Sequence, residues 1–254
     1  MSRRRKRLAE NLRENFPDSS HLLYVSWLVL FLSLRAVAAD YLVRPVAGSD
    51  NIGDGGPAKL ALLQQAEGLT SDAAGNLYIA EAAGHRVRRV STSGQITTYV
   101  DGLGAPYGIA MAATGELYVA DIGQACVWKI GPSSRQALSI PGLKAPRNVA
   151  LDSSGALYVS DFDAGRVVRA DTGAPVVAGL NGPAGLAFDR DGNLYIAESG
   201  AHAVRKLAKN GTLTTLTQSL GTPTGIAIRD SSVYVADAIA GRRSEEHTSE
   251  LQSH

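Results

Sequence analysis

The 254-residue sequence predicts an all-β fold in which one four-stranded antiparallel unit is repeated along the chain. Tyrosines recur 37 to 40 residues apart within similar short apolar runs, at Tyr78, Tyr118, Tyr158, Tyr195 and Tyr234. Turn sequences separate these runs, and a period in this range is typical of arrays with about four strands per unit. Because each sheet is too small to bury its own faces, we expect the units to stack radially as the blades of a β-propeller.

Within each unit, the first two strands are predicted to be the inner ones. They are almost continuously apolar, as in residues 69–71 and 77–80, which is expected where both faces of a sheet are covered. The third and fourth strands, such as residues 87–90 and 95–100, mix apolar with charged and threonine residues and should lie nearer solvent. Residues 72–75 form the first of several Asp-to-Gly turns between strands one and two. Four units are complete and a fifth is partial.

The first unit carries residues through which the chain resembles a known family. Residues 78–81 read Tyr-Ile-Ala-Glu, residues 84–90 read Gly-His-Arg-Val-Arg-Arg-Val, and residues 53–58 read Gly-Asp-Gly-Gly-Pro-Ala. This combination resembles the NHL repeat of bacterial secreted proteins, over about residues 42–242. The second, third and fifth units lack the His, and Arg147 and Asn148 stand where the other units place Gly. The resemblance implies an incomplete propeller whose intact form commonly has six blades.

Residues 1–39 lie outside the array and are predicted to be a signal peptide. Residues 3–7 are basic, residues 22–34 form an apolar run of 13 residues, and residues 36–38 have the small-x-small pattern of a signal-peptidase site. The alternative is an uncleaved anchor, but Arg35 interrupts a run already shorter than the roughly 20 residues of a spanning helix. We therefore expect a secreted or periplasmic protein, without membrane insertion after cleavage.

Residues 40–242 are assigned to the incomplete propeller and residues 243–254 to an artefact, since those 12 residues correspond to a translated sequencing adapter. The fifth unit should stop after residue 241, where its third strand would begin. Residues 42–47 resemble a fourth strand that could close the ring. Residues 53–56 are interpreted as a structural turn, and residues 57–65 are predicted to form a short helix. We expect an unclosed array to be poorly soluble, because its edges stay bare.

Charge and cysteine content exclude several classes of partner. Residues 1–39 hold 7 of the 25 basic and 3 of the 24 acidic residues, and residues 243–254 hold 1 and 3, which leaves 17 basic and 18 acidic residues in the array. A nearly neutral domain has no general attraction to nucleic acid, so no nucleic-acid partner is expected. Cys126 is the only cysteine, which excludes an internal disulfide, and it occupies the position of Arg86.

Polar residues that recur in every unit indicate structure more than catalysis. An acid ends each second strand, and we expect it to cap the connection that follows; a carboxylate ring that binds a cation or sugar is the alternative. These acids are Glu81, Asp121, Asp161, Glu198 and Asp237. Basic residues recur on the third strands, where solvated edges commonly carry them, at Arg89, Lys129, Arg169 and Lys206.

Metal-dependent catalysis is disfavoured by the available ligands. A zinc site of the kind used by propeller lyases needs about three His or Cys ligands, whereas His85 and His202 occupy the same position in separate units. Related lactone-hydrolysing propellers hold a cation through oxygen ligands near the axis, where this chain places Thr70, Ala110, Ala150, Ala187 and Ala227. No catalytic residue, metal or cofactor is therefore expected, and an enzyme stays open only through ligands outside these units.

The units differ at the loop face, which the connections between strands two and three and between units form. Larger or polar residues replace small ones there, namely Tyr107, Gln124, Arg147, Asn148, Phe162 and Asp163. Aromatic and arginine residues on a rigid rim are typical of recognition surfaces, and ordinary loop drift is the alternative. The sequence thus favours an exported, non-catalytic binding or scaffold module for a protein, peptide or glycan. An enzyme of the lactonase or lyase kind and the sensor part of a larger receptor are the alternatives.

Overall fold

The computed structural model of the protein describes residues 53–230, 232–238 and 242–247, and these form five antiparallel sheets. The expected signal peptide at residues 1–39 and the expected closing strand at residues 42–47 lie outside the described residues. Among the residues that are described, no helix has the length and hydropathy needed to cross a membrane. The predicted all-β propeller with four complete blades and a partial fifth is confirmed.

Each of the first four sheets is a meander whose four strands pair in chain order. Blade 1 contains β1 (Ala66–Ser71), β2 (Leu77–Glu81), β3 (Arg86–Val90) and β4 (Ile96–Val100). Blade 2 contains β5 (Pro106–Met111), β6 (Leu117–Asp121), β7 (Cys126–Gly131) and β8 (Ser134–Leu138). Blade 3 contains β9 (Pro146–Leu151), β10 (Leu157–Asp161), β11 (Arg166–Arg169) and β12 (Pro175–Ala178). Blade 4 contains β13 (Pro183–Phe188), β14 (Leu194–Glu198), β15 (Ala203–Leu207) and β16 (Leu213–Thr217).

Blade 5 has three strands, β17 (Pro223–Arg229), β18 (Ser232–Asp237) and β19 (Arg242–His247). The helical residues in the described part form two short 3-10 turns, Ala58–Leu60 and Ser199–Ala201. The fifth unit was expected to stop before its third strand, but β19 pairs along the whole of β18. Main-chain hydrogen bonds do not depend on the side chains, so an extended segment of any sequence can pair with an open edge. The assignment of residues 243–254 to an adapter stays a prediction.

The first strands of the five blades lie side by side on the inside of the array, in the order β1, β5, β9, β13 and β17. Their approach is close, because a Cβ atom at Gly68 would lie 2.2 Å from the carbonyl oxygen of Tyr107. A Cβ atom at Gly108 would lie 2.5 Å from the Cα of Asn148. Only a glycine fits such distances without displacing the neighbouring backbone. The close spacing between the first strands of neighbouring blades therefore requires the glycine that recurs in these strands.

Hydrophobic clusters join each blade to the next. Tyr78, Ala80 and Val87 of blade 1 share one buried cluster with Leu117 and Val119 of blade 2. Similar clusters connect blades 2 and 3, blades 3 and 4, and blades 4 and 5. All five residues of β2 and of β14 are buried, as predicted for second strands. The blades therefore stabilise one another, as the units of repeat arrays do.

The turn between the first and second strands folds around an aspartate. In blade 1, Asp72 Oδ1 accepts the backbone N–H of Asn76 over 2.8 Å, and Oδ2 accepts the side-chain amide of Asn76 over 2.7 Å. The hydroxyl of Tyr78 also donates to Asp72, over 3.2 Å. The bonds from Asn76 hold the pKa of Asp72 below the ordinary aspartate value of 3.8. The recurring tyrosine and the turn aspartate thus fix each other.

Residues 53–65 cover the face of blade 1 that is turned away from blade 2, where Ala58 and Ala61 are buried. The predicted helix over residues 57–65 is wrong beyond its first turn, since Ala61 is already extended with φ −94° and ψ 138°. The segment is instead held against β4, because Gly55 and Gly56 exchange backbone hydrogen bonds with Ile96 over 2.8 and 3.1 Å. Further along, the backbone N–H of Gln64 donates to Glu81 Oε1 over 3.1 Å and not to a carbonyl one helical turn back, so the helix does not continue.

The glycine-rich turn at residues 53–56 is structural. Asp54 Oδ1 lies 2.7 Å from Nη2 of Arg88, whose side chain is fully buried in blade 1. Partial burial opposes ionisation of Asp54, but the hydrogen bonds from Thr98 and then the charge and bond of Arg88 outweigh it, so the pKa of Asp54 is lowered. The turn therefore supplies a counterion to a buried guanidinium.

Candidate functional site

The acids that end the second strands are buried and already hydrogen-bonded. All five are at most 2% exposed, namely Glu81, Asp121, Asp161, Glu198 and Asp237. Asp161 Oδ1 accepts the backbone N–H groups of Lys144 and Ala145 over 3.1 and 2.9 Å. Asp237 accepts those of Gly221 and Thr222 over 2.6 and 2.7 Å. The expectation that each acid caps the connection to strand three needs correction. Each acid mainly accepts backbone N–H groups from the connection that enters its own blade. That connection leads into the first strand of the blade, which pairs with the second strand that carries the acid.

Side-chain donors on the third strands complete the bonding of these acids. Trp128 Nε1 donates to Asp121 over 3.1 Å, and Arg205 Nε donates to Glu198 over 2.7 Å from the equivalent position. Blade 3 has a valine at that position, and Arg166 binds Asp161 over 3.2 Å instead. The donor changes place while the acid stays satisfied, as a buried charge requires. These pairs, which the sequence analysis missed, make the acids poor candidates for an external ligand.

The two histidines bond locally. Nδ1 of His85 donates to the carbonyl oxygen of Gly104, and Nδ1 of His202 to that of Gly221. Each bond ties a turn before strand three to the entry of the next blade. Across the part of the chain that the structure describes, no three His, Cys, Asp or Glu side chains are grouped so as to hold a metal ion. Burial raises the pKa of the Cys126 thiol, which disfavours the reactive thiolate.

The recurrent basic residues of the third strands lie opposite the recurrent tyrosines. Lys129 Nζ lies 5.9 Å from the ring centroid of Tyr118 and 3.0 Å from a carboxylate oxygen of Glu116. Lys206 Nζ lies 5.3 Å from the ring centroid of Tyr195. Such cation–π contacts give two of the four basic residues a partner within the fold. Arg169 pairs with Asp171 over 3.0 Å instead, and Nε of Arg89 is buried without a hydrogen-bond partner among the described residues.

A register irregularity recurs in the first strands and adds one residue per blade; in blades 1 to 3 this residue reaches the inner edge of the loop face, whereas in blade 4 it is the buried Ala184. In β1 the pairing shifts between Ala66 and Gly68, so that Glu67 is an extra residue. Corresponding shifts lie at Tyr107 in β5 and at Arg147 in β9. A β-bulge bends the strand and redirects a side chain. Three adjacent blades thus present Glu67, Tyr107 and Arg147 next to one another.

Three of the predicted site residues converge, and we call Tyr107, Arg147 and Phe162 the rim cluster. The Cζ atom of Arg147 lies 4.2 Å from the ring centroid of Tyr107 and 5.3 Å from that of Phe162. Phe162 follows β10, and its ring edge packs on Gly182, where an added Cβ would lie 2.9 Å from its Cζ atom. All three side chains are half-buried. Within the described residues, the guanidinium of Arg147 forms these ring contacts but no hydrogen bond or ion pair.

Gln65 and Glu67 border the rim cluster and were missed by the sequence analysis. Gln65 Nε2 donates to Glu67 Oε1 over 2.9 Å and to the hydroxyl of Tyr107 over 3.4 Å. Loss of surrounding water raises the pKa of the Glu67 carboxyl, while the bond from Gln65 and the charge of Arg147 act in the opposite direction. Aligning the units could have found Glu67, since it occupies the same position as Tyr107 and Arg147.

The other predicted site residues have different surroundings. The backbone N–H of Asn148 donates to Ser160 Oγ over 2.9 Å, and that hydroxyl donates to the carbonyl of Ala184 in blade 4 over 2.7 Å. Asn148 therefore contributes to the contact between blades. Gln124 and Asp163 are exposed in the turns that follow β6 and β10. Their role in binding stays a prediction.

Comparison with known families identifies one repeat. Residues 180–207 match the family model of the NHL repeat. The match spans the entry of blade 4 and its first three strands. A search of curated protein sequences finds no match. The chain thus contains an NHL repeat within its propeller.

Several solved structures share the fold. A catalytically inactive virginiamycin B lyase from Staphylococcus aureus with quinupristin has a TM-score of 0.58 and 17% identity, over 72% of this chain and 70% of the lyase. A structure of the nidogen/laminin complex has a TM-score of 0.63 and 21% identity, over 74% of this chain and 82% of that one. A gluconolactonase from Xanthomonas campestris has a TM-score of 0.61 and 19% identity, over 70% of this chain and 71% of the gluconolactonase. At these identities the similarity establishes the propeller fold alone.

Proposed function

We propose that this chain, a β-propeller with an NHL repeat, is a non-catalytic recognition module that binds a protein, peptide or glycan at the rim cluster. The supporting observation is the convergence of Tyr107, Arg147 and Phe162 from two blades, with the guanidinium held 4.2 and 5.3 Å from the two ring centroids. Aromatic and arginine side chains dominate the energetics of binding surfaces. Their placement on a rigid sheet scaffold lowers the entropy that a ligand would otherwise have to overcome.

Arg147 differs from the other polar groups near the loop face in its hydrogen bonding, and this difference supports the rim cluster as the binding surface. The strand-two acids and both histidines spend their hydrogen bonds on the fold itself, at the blade entries. Arg147 does not, within the residues that the structure describes. A half-buried guanidinium that keeps its donors available is better suited to a ligand than to the fold.

We place this binding outside the cytoplasm, on the basis of the basic start, apolar run and small-x-small site in residues 1–39. N-terminal sequencing of the protein recovered from an exporting bacterial host tests this part. Recovery with an N-terminus near residue 39 or 40 would support it. Retention of the whole segment in a membrane fraction would contradict it.

An enzyme is the second candidate, because two of the similar structures are described as a lyase and a gluconolactonase. The inner-strand positions compared above carry one threonine and four alanines, which offer few oxygen ligands to a cation. Lactone hydrolysis measured with added Ca²⁺ or Zn²⁺ distinguishes the two. Turnover that a chelator abolishes would favour the enzyme over the binding module. A third candidate, the sensor part of a receptor, would use the same rim.

The rim can be tested with peptide and glycan arrays probed with the labelled full chain. Arg147→Ala combined with Phe162→Ala should reduce the array signals by roughly tenfold or more, since hot-spot truncations typically cost about 2 kcal/mol. Arg190→Ala is the matched control, because this arginine side chain is 87% exposed at the opposite ends of the strands. Far-UV circular dichroism checks that the variants fold. Unchanged binding by the double variant would contradict the proposal.

A further inference from the structure

We infer that Arg147 binds a carboxylate of a peptide ligand, through the free edge of its stacked guanidinium. This inference rests on the proposed function of the rim cluster and names the chemistry of its ligand.

Arg135 shows what a stacked arginine does when it serves the fold. Its Cζ atom lies 4.1 Å from the ring of Trp128, and its two Nη atoms donate to the carbonyl oxygens of Asp101 and Gly102, each over 2.9 Å. Arg147 has the same kind of stacking, at 4.2 Å from Tyr107, but no such acceptors among the described residues. The ring contacts therefore orient the Arg147 guanidinium without using its N–H groups.

A planar guanidinium with free N–H groups matches a carboxylate. Two parallel N–H groups of arginine can bind the two oxygens of a carboxylate at once, in one plane. The Cζ atom of Arg147 lies over the rings of Tyr107 and Phe162, at 4.2 and 5.3 Å, and among the described residues no acceptor takes up its N–H groups. The geometry thus favours an anion that approaches edge-on.

The neighbouring charge of Glu67 opposes the binding of an anion. The side-chain amide of Gln65 joins Glu67 to Tyr107, over 2.9 and 3.4 Å, and the Arg147 guanidinium lies over the same Tyr107 ring. Among the described residues, Glu67 and Arg147 form no ion pair, so Arg147 keeps its charge for a ligand. A carboxylate held by Arg147 would be repelled by Glu67, and replacing Glu67 with a neutral residue should therefore strengthen binding.

The aromatic surfaces favour a peptide over an acidic sugar. Sugars usually bind proteins by stacking on an open aromatic face. Here Arg147 occupies one face of each ring, and the edge of Phe162 also packs on Gly182. A carboxylate on a flexible Asp or Glu side chain needs no such face.

The test uses two immobilised heptapeptide libraries, with Glu or Gln fixed at the centre and random residues on both sides. The full chain should be captured by the Glu library about tenfold or more above the Gln library, as expected for a charge-assisted bond. Arg147→Gln should remove this preference, and Glu67→Gln should strengthen capture by Glu several-fold. Arg135→Gln is the control and should leave the preference unchanged.

Equal capture by the two libraries would overturn the inference. So would an Arg147→Gln variant that keeps the preference for Glu, or a Glu67→Gln variant that captures the Glu library more weakly than the wild type. Capture on immobilised oligogalacturonate without capture by the Glu library would also overturn it, in favour of an acidic glycan. A third outcome separates the two proposals: the Arg147→Ala, Phe162→Ala double variant loses binding on the arrays, but the wild type captures the Glu and Gln libraries equally. In that case recognition at the rim cluster would stand, and only the inference that Arg147 binds a carboxylate would be wrong.

Discussion

Asp161 is predicted to stabilise the propeller mainly by anchoring backbone, and less through its ion pair. Asp161→Ala removes the acceptor of two N–H groups, those of Lys144 and Ala145, at a site that is 0% exposed. Each buried donor left unpaired costs about 1–3 kcal/mol, so the loss should be centred near ~4 kcal/mol. For a domain of this size, that corresponds to a decrease in Tm of roughly 8–16 °C.

Arg166→Met removes the partner of Asp161, together with the bond from Arg166 to the carbonyl of Gly142 (2.6 Å), and leaves both backbone bonds to Asp161, so its cost is an upper limit for the ion pair. The Arg166 side chain is 21% exposed, so water screens the pair and we expect a loss of only about 1–2 kcal/mol. Urea unfolding followed by far-UV circular dichroism and by Trp128 fluorescence gives both values, provided the m-value is unchanged. If Arg166→Met costs as much as Asp161→Ala, the ion pair dominates and our account of the repeated acids is wrong.

Three further predictions concern the contacts within and between blades. Gly68→Ala should destabilise the protein by several kcal/mol, because the added Cβ would lie 2.2 Å from the backbone oxygen of Tyr107. In the control Gly56→Ala the added Cβ meets nothing closer than 3.9 Å, so the loss of stability should be small. Thermal melts of the two variants test this difference. Ser160→Ala should cost about 1–3 kcal/mol in urea unfolding, since it unpairs backbone groups of two blades, and a neutral result would contradict that bridge. The pKa of Asp72 is lower in the folded state than in the unfolded state. The ionised carboxylate therefore contributes its full stabilisation of the fold at a pH above the unfolded-state pKa, and this contribution is lost as the pH falls through the folded-state pKa. The difference in Tm between the wild type and Asp72→Asn should therefore shrink from about pH 5 to about pH 3, and a constant difference would refute it.

The blades could be predicted from the sequence because their pattern is local and repeated. The tyrosine near the start of each second strand and, in blades 1, 3 and 4, the Asp-to-Gly turn before it are signals that lie within ten residues of each other. The segment at residues 57–65 could not be predicted in the same way. Its Pro57 start suggested a helix, but the helical turn ends at Leu60, and the backbone N–H of Gln64 binds Glu81, which is 17 residues away, in place of a carbonyl within the segment.

The candidate site was only partly accessible to sequence reasoning. Tyr107, Arg147 and Phe162 stood out because they replace small residues found in the other units. Glu67 did not stand out, because its link to Tyr107 through Gln65 depends on how blades 1 and 2 align around the axis. The bulges that aim these side chains arise from strand register, which a single sequence does not display.

The bulge residue has a further consequence for how such a propeller can change. It is an extra residue in the strand register, so its side chain can vary while the surrounding meander stays as it is. The five blades already carry different residues there, namely Glu67, Tyr107, Arg147, Ala184 and Thr224. A new specificity could therefore evolve, or be engineered, by exchanging one residue in one blade while the rest of the ring is kept.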